Sequence, residues 1–354
     1  MRIADINIRK ENLALTRPYS ISYKTVDSVE NVIVEIHLEN GIVGYGAANP
    51  SKYVVGKDVN DTFNNLNGDG IDFLKNANIG HFPYLLDQVY DLFEDDAGAK
   101  VALDVALHDA FTKLLDVSIV DFYGRKMTSL PTSVTIGIMD IDETIEEAKE
   151  YFDAGFKVLK VKLGKELAED IERLKALRKT YGQSPIIRID ANQGWTKAET
   201  LDFFQSTADL DIELVEQPIK ADQLGQLSDL PESFKALIAA DESLVDENDA
   251  VSLSGNPHPA GIFNIKLMKC GGIREAKRIS RIAEQANIDL MWGCNDESII
   301  SISAALHAAL SSKNTKYIDL DGSFDLAKDV VKGGFILKDG YLSLTDRPGL
   351  GVYV

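Results

Sequence analysis

The chain has 354 residues, of which 45% are hydrophobic and 26% are charged, a composition typical of a large globular protein. Its net charge of −19 would repel nucleic acids and anionic membrane surfaces, so we expect neither as a partner. Two cysteines are too few for a disulfide framework and have no metal-binding spacing, which indicates a reduced, cytoplasmic protein.

The N-terminal third predicts an α+β domain. It begins with a charged, alternating segment that has no signal-peptide core. A second alternating segment is interrupted by Glu39-Asn40-Gly41, which predicts a β-hairpin. Residues 59–122 have helical periodicity. We therefore expect a capping domain over residues 1–125, completed by the C-terminal tail 324–354, where alternation returns.

From Leu130 onward, apolar strands alternate with amphipathic helices. Eight strands are predicted, at residues 133–138, 158–163, 185–190, 212–217, 236–241, 261–266, 289–294 and 316–321. Such alternation favours an α/β fold, namely a modified (β/α)8 barrel over residues 126–323 with an irregular last unit.

Three carboxylates and a lysine stand at the ends of consecutive predicted strands. Asp190, Glu216, Asp241 and Lys266 are 26, 25 and 25 residues apart, close to the length of one strand–helix unit. We expect them side by side at the mouth of the barrel, where three oxygen ligands would leave about half of a Mg²⁺ shell for water and substrate. Unrelated capping or loop acids are the alternative, but clustered carboxylates repel one another without a cation.

Lysines flank these carboxylates on both sides. Strand alternation points Lys162 and Lys266 inward, which favours two bases whose pKa is lowered by burial and nearby positive charge. Lys160 shares the face of Lys162 and is suited to hold a substrate carboxylate as a fixed charge. For Lys165 and Lys269 we expect surface side chains instead.

Asp319 and Asp321 end the eighth predicted strand on one face. A mouth that already holds three carboxylates would accept two more only with a cation between them, and a substrate ammonium would supply it. The alternative is a simple turn at Asp321-Gly322. Gly271-Gly272 is a weak signal for a phosphate-binding loop.

These residues resemble the enolase superfamily over essentially the whole chain. Lys160 with Lys162, the Asp-Ala-Asn, Glu-Gln-Pro and Asp-Glu-Ser motifs and the strand-six lysine are similar to the muconate-lactonizing subgroup. Within it, NIKLMKCGG and the Asp-x-Asp of strand eight resemble the dipeptide epimerases, the L-Ala-D/L-Glu epimerases among them. In the same motifs, Asn192 and Glu242 would support the metal ligands.

The resemblance implies an isomerase with one Mg²⁺ per subunit that inverts the α-carbon of the C-terminal residue of a dipeptide. One lysine would remove the α-proton, and the other would return a proton to the opposite face of the enolate. Asp319 and Asp321 would hold the dipeptide ammonium, while the metal and Lys160 would hold its terminal carboxylate. Loops near residues 17–27 and 51–58 would close over the substrate.

Two charges give opposed indications of side-chain preference. Lys24 stands where family members acting on Ala-Glu carry an arginine, which favours an acidic side chain. Asp296, after strand seven, favours a cationic one. The physiological dipeptide, the pathway and an association of identical subunits stay open.

Three alternatives remain. The nearest is another member of the subgroup: muconate cycloisomerase, o-succinylbenzoate synthase or N-succinylamino acid racemase. Their substrates have no free ammonium, so Asp319 and Asp321 argue against them. A Schiff-base aldolase using Lys162 or Lys266 would not need three carboxylates, and a non-catalytic barrel with a structural metal would exchange no α-proton.

Overall fold

The computed structural model describes residues 1–21 and 24–354, and their side chains except for 18–26 and 69. The N-terminal part of the chain is a three-stranded antiparallel sheet with helices packed against it. In chain order its elements are β1 (Ile3–Ile21), β2 (Lys24–Leu38), β3 (Val43–Ala48), α1 (Lys52–Val55), α2 (Val59–Leu66), α3 (Phe82–Leu92), α4 (Ala97–Leu114) and α5 (Ile119–Tyr123). The predicted hairpin turn joins β2 to β3.

Helix α4 lies directly on this sheet because the sequence supplies small residues at the contact. A Cβ on Gly44 would come within 2.3 Å of the carbonyl oxygen of Ala106, and one on Gly46 within 1.9 Å of that of Ala102. Both distances are shorter than van der Waals contact. The Gly-Tyr-Gly segment of β3 therefore allows the helix backbone to touch the sheet.

Eight parallel strands follow in space in the same order as in the sequence. After the short β4 (Ser129–Pro131) they are β5 (Ser133–Ile136), β6 (Val158–Lys162), β7 (Ile186–Asp190), β8 (Ile212–Glu216), β9 (Ile238–Ala240), β10 (Ile262–Ile265), β11 (Asp289–Trp292) and β12 (Thr315–Ile318). This order confirms the predicted barrel.

The intervening helices cover the barrel. They are α6 (Ile141–Asp153), α7 (Leu167–Tyr181), α8 (Lys197–Ser206), α9 (Glu232–Lys235), α10 (Glu247–Leu253), α11 (Leu267–Cys270), α12 (Ile273–Ala286) and α13 (Ile299–Leu310). Within the described residues no regular helix follows β12, which confirms the irregular last unit. Among all the residues that the structure describes, no helix is long and apolar enough to cross a bilayer.

Side chains close the barrel at the seam between β12 and β5. An isolated bridge from Thr132 to Ile318 is the one backbone pairing found there in the described ranges. Arg188, buried in the barrel interior, donates to the carbonyl of Ile318 at 2.6 Å, and Leu320 N–H donates to the Thr132 hydroxyl at 2.9 Å. The seam matters for function because Asp319 and Asp321 follow β12 directly.

The C-terminal tail contacts both parts of the chain. Its strands are β13 (Lys332–Gly333), β14 (Phe335–Lys338), β15 (Tyr341–Leu344) and β16 (Val352–Tyr353). Strand β15 pairs with β4 beside the barrel, whereas the Leu350 N–H donates to the Asp109 carboxylate of α4 at 2.8 Å. The division of the chain at residues 125 and 323 remains our proposal.

Candidate active site

The carboxyl ends of β6 to β10 bring five of the predicted residues together. Lys162, Asp190 and Glu216 are the last residues of β6, β7 and β8, and each is a register partner of the next. Asp241 and Lys266 come one residue after β9 and β10. Asp190, Glu216 and Asp241, here called the carboxylate trio, therefore share one face of the barrel.

Each member of the trio lies close to a lysine ammonium group. Lys160 Nζ lies 2.8 Å from Glu216 Oε2 and 3.4 Å from Asp190 Oδ2. Lys266 Nζ lies 2.6 Å from Asp241 Oδ2. With the side chains in these positions, no three acidic, histidine or cysteine groups of the described residues are arranged to hold one metal ion. The lysines balance charges that repulsion would otherwise drive apart.

Burial makes this balance unequal. Burial, together with repulsion from Asp190 and Asp241, holds the pKa of Glu216 well above its usual range. Burial would also raise the pKa of Asp241, but the ammonium groups of Lys266 and Lys269 hold it well below its usual range. The pKa values of these two neighbouring carboxyl groups are therefore shifted in opposite directions.

The donor set fits a hard divalent cation. Glu216 Oε2 and Glu242 Oε2 are buried oxygens without a hydrogen bond, although Lys160 lies near the first. The Asn192 N–H donates to Asp190 Oδ1 at 3.0 Å, and the Asn192 amide donates to Glu242 Oε1 at 3.3 Å. Carboxylate oxygens with unused acceptor capacity are the ligands that Mg²⁺ prefers.

The two predicted bases lie in different surroundings. Lys162 is half-buried, and its ammonium forms no ion pair with any of the described residues. The predicted lowering of the Lys266 pKa was wrong for these side-chain positions: burial would lower this pKa, but Asp241 and Glu216 raise it above its ordinary value. Between them lie β7, β8 and β9, so the two lysines flank the trio from opposite sides.

The prediction that Lys269 is a surface residue was wrong. Lys269 is 6% exposed, and its Nζ contacts the Asp241 carboxylate. The strand pattern gave no signal because Lys269 lies in α11, beyond β10. Lys165 is exposed, as expected.

Asn264 also escaped the sequence analysis. Its amide donates to Glu216 Oε1 at 2.9 Å from a fully buried position on β10. The alternation that pointed Lys266 inward applies equally to Asn264, two residues earlier on the same face. That signal could have identified it.

Asp319 and Asp321, here called the seam acids, each bind strand β5 through one oxygen. Ser133 Oγ donates to Asp319 Oδ1 at 2.7 Å, and Thr135 N–H donates to Asp321 Oδ2 at 2.9 Å. Asp319 Oδ2 meets Lys160 Nζ at 2.8 Å. Burial and repulsion from Asp319 raise the pKa of Asp321 to about 7.

Of the two predicted specificity residues, only Asp296 has a side chain that the structure describes. The side chain of Lys24 is outside the described residues. Asp296 is part-exposed in the loop after β11, and its carbonyl accepts from the Asn49 amide at 2.6 Å. The Asn295 amide of the same loop donates back to the Asn49 carbonyl at 3.1 Å. These reciprocal bonds tie the loop of Asp296 to the end of β3.

Comparison with known proteins gives a consistent family. The mandelate racemase / muconate lactonizing enzyme N-terminal domain matches residues 3–124, and the enolase C-terminal domain-like family matches residues 143–354. An L-Lys-D/L-Arg epimerase from Desulforapulum autotrophicum is 47% identical over 99% of both chains. An L-Ala-D/L-Glu epimerase from Bacillus subtilis is 32% identical over 99% of this chain and 97% of its own.

A solved structure shows the same fold. The dipeptide epimerase from Methylococcus capsulatus, complexed with Mg and the dipeptide L-Arg-D-Lys, superimposes with a TM-score of 0.97. It is 47% identical in sequence, and the match covers 100% of each chain. The present chain therefore belongs to the mandelate racemase / muconate lactonizing enzyme family of the enolase superfamily, and it is an isomerase of the dipeptide epimerase group.

Proposed function

We propose that this chain is a Mg²⁺-dependent epimerase that inverts the α-carbon of the C-terminal residue of cationic dipeptides. The observation that carries the proposal is the placement of Lys162 and Lys266 on opposite sides of the carboxylate trio. Inversion needs one group to take a proton from one face of a carbon and another to supply a proton to the other face. Two lysines on opposite walls meet that need.

The trio and Lys160 would hold the reacting end of the substrate. Asp190, Glu216 and Asp241 would bind one Mg²⁺ per subunit. When bound, this ion supplies positive charge that offsets the negative charge formed as the α-proton leaves. Lys160, which already meets two of the acids, would supply a fixed charge to the substrate carboxylate.

The two lysines would divide the proton transfer by stereoisomer. With one epimer, Lys162 would take the α-proton and Lys266 would return a proton from the opposite wall. With the other epimer the two roles would be exchanged. Asn264, which holds Glu216 from the strand of Lys266, would keep the trio and that lysine in a fixed relation.

The seam acids would recognise the N-terminal ammonium of the dipeptide. Asp321 Oδ1 accepts a long contact of 4.0 Å from the Cys294 sulfur, so it keeps acceptor capacity for a stronger donor. Its other oxygen is fixed by Thr135 at 2.9 Å. A rigidly held carboxylate suits a charge-assisted bond to a substrate ammonium.

A cationic side chain is the preference that the chain and its relatives support. Asp296 places a carboxylate in the loop after β11, and its charge adds to that of Asp325 nearby. The similarity to L-Lys-D/L-Arg epimerases, at 47% identity, points the same way. The corresponding figure for the Bacillus subtilis L-Ala-D/L-Glu epimerase is 32%.

A panel of dipeptides in D₂O tests this proposal. With Mg²⁺ present, the protein should exchange the α-proton of the C-terminal residue of L-Lys-L-Arg faster than that of L-Ala-L-Glu, and mass spectrometry of the cleaved residues would locate the label. EDTA should stop exchange. Exchange in no dipeptide, or faster exchange in N-succinyl-arginine than in any free dipeptide, would contradict the proposal.

A further inference from the structure

Lys269 is committed to three acceptors at the edge of the carboxylate trio. Its Nζ donates to Asp241 Oδ1, to the Asp241 carbonyl at 2.6 Å and to the Asn264 carbonyl at 3.1 Å. An ammonium group has three N–H donors, and these contacts use all of them. All three donors of Lys269 are therefore taken by the protein itself.

These contacts lie just beyond the point where the backbone pairing of β9 with β10 ends. Strand β9 is three residues long and pairs with β10 through Ala239 and Ala240 alone. Asp241 follows the last paired residue, so no ladder bond to β10 fixes it. Its N–H donates instead to the Gln217 side chain at 3.0 Å, and its carbonyl accepts from Lys269 and from the backbone N–H of Leu244 at 2.9 Å. A side chain that follows β8, a side chain of α11 and a local turn thus hold Asp241 in place of ladder bonds.

The same contacts divide the two carboxylate oxygens of Asp241. Oδ1 faces Lys269, whereas Oδ2 lies 2.6 Å from Lys266 on the side of the trio. Rotation of the carboxylate would break the Lys269 contact in a region where Asp241 is 4% exposed. Asp241 therefore presents a single oxygen, Oδ2, to the space that it shares with Glu216.

We propose that Lys269 is a positioning residue for metal binding, which fixes Asp241 so that Oδ2 faces the cation. This inference rests on the proposed Mg²⁺-dependent function. The main alternative role for a lysine in this place is to compete with the cation for Asp241. The two roles predict opposite results, because loss of a competitor tightens metal binding and loss of a positioning contact weakens it.

The Lys269→Met variant separates the two roles. Its unbranched side chain is one atom shorter than that of lysine and loses the charge and all three donors. Calorimetric titration without substrate should give dissociation constants for Mg²⁺ and Mn²⁺ that are roughly 10–100-fold higher than those of the wild type. The electron paramagnetic resonance spectrum of bound Mn²⁺ should change as well, since the ligand geometry changes.

Lys235 provides a matched control near the other end of β9. It is 2% exposed and donates to the Ser228 carbonyl at 3.0 Å, so it is also a buried lysine bound to backbone. It lies away from the mouth. Lys235→Met should therefore leave both dissociation constants unchanged, even if it lowers the melting temperature.

Each outcome bears on a distinct statement. An unchanged or lower dissociation constant in Lys269→Met would overturn the inference, whereas absence of Mg²⁺ binding by the wild type would overturn the proposed function. If Lys269→Met does not fold, Lys269→Gln, which keeps an amide donor, is titrated in its place with the same expectation. Failure of both variants to fold would also overturn the inference, because Lys269 would then serve the fold rather than the ligand.

Discussion

The barrel mouth contains two groups of buried carboxylates, and the chain neutralises them differently. The carboxylate trio faces lysine ammonium groups on flexible side chains. Each seam acid accepts a hydrogen bond from β5, namely from the Ser133 hydroxyl and the Thr135 N–H, although Asp319 also pairs with Lys160. A cation can displace an ammonium group from a carboxylate, but it cannot displace a backbone N–H that is held in a strand. We therefore expect the trio to exchange Lys160 and Lys266 for a cation during function, and the seam acids to keep their hydrogen bonds to β5.

Lys160 links the two groups. Its Nζ is 2.8 Å from Glu216 in the trio and 2.8 Å from Asp319 at the seam. Burial would lower the pKa of Lys160, but the acids Asp319, Glu216 and Asp190 raise it well above its usual range. It is therefore a positive charge between the proposed metal site and the proposed ammonium site, as expected of a residue that binds a substrate carboxylate.

Removing charge from the trio should have the largest effect. Glu216 is fully buried between Asp190 and Asp241, and Glu216→Gln keeps its shape while removing the carboxylate. We expect kcat/KM to fall by at least about 10³-fold, or ~4 kcal/mol, at saturating Mg²⁺. Polarimetry of a cationic dipeptide would measure it. Glu232→Gln, on an 80% exposed side chain of α9, should match the wild type. Activity of Glu216→Gln within a few-fold of wild type would sink the metal assignment.

Removing charge at the seam should have a smaller and more selective effect. We expect Asp321→Asn to lower kcat/KM for a free dipeptide roughly 10–100-fold, since one charge-assisted hydrogen bond is lost. N-acetylation of the dipeptide should harm the wild type more than the variant. Asp346→Asn, on the exposed tail, is the control. If N-acetyl or N-succinyl substrates equal free dipeptides for the wild type, the ammonium assignment is wrong and an N-acylamino acid racemase takes its place.

The side-chain preference should depend on Asp296 more weakly. Asp296→Asn should reduce the preference for Lys over Leu in the dipeptide by about ten-fold, because a single part-exposed carboxylate is neutralised. Competition between the two dipeptides in one reaction would measure the ratio directly. Lys24→Ala should leave the ratio unchanged or raise it. A ratio that neither variant alters would show that neither residue reads the side chain.

The pH profile should show the smallest of these effects. The pKa of Asp321 is about 7, and the ionised form is the one that binds an ammonium group. Its contribution to kcat/KM should therefore rise a few-fold between about pH 6 and 8, and Asp321→Asn should lose this component. Because this pKa lies above the unfolded value, the same ionisation lowers stability as the pH rises from about 4 to 7. Superimposable profiles for the two proteins would contradict the assignment.

The sequence predicted those parts of the fold that depend on short-range pattern. Alternation and spacing located the strands of Asp190 and Glu216 to within one or two residues. Parallel strands end at one face, so the neighbourhood of the trio followed from strand order alone. The same reasoning places Asn264 inward. It was not predicted as a site residue because its amide is uncharged, whereas the prediction relied on charged side chains.

Local sequence patterns did not predict contacts between segments that are far apart in the sequence. Gly271-Gly272 suggested a phosphate loop, but a Cβ on Gly272 would come within 2.5 Å of the carboxyl carbon of Asp104 on α4. That side chain accepts from the Ile273 N–H at 2.7 Å, so helix α4 itself supplies the acceptor at the start of α12. Nothing local to either segment predicts this pairing, and the burial of Lys269 depends likewise on a fold-back after β10.

Proton exchange by the two lysine variants tests the central claim most directly. Lys162→Ala and Lys266→Ala would each be incubated in D₂O with Mg²⁺ and, separately, with each C-terminal epimer of a cationic dipeptide. Neither variant should interconvert the epimers. Each should exchange the α-proton of one epimer only, and the two variants should exchange opposite epimers, because each retains the base on one wall. Exchange of the same epimer by both folded variants, or loss of exchange with both epimers in both, would contradict two bases on opposite faces.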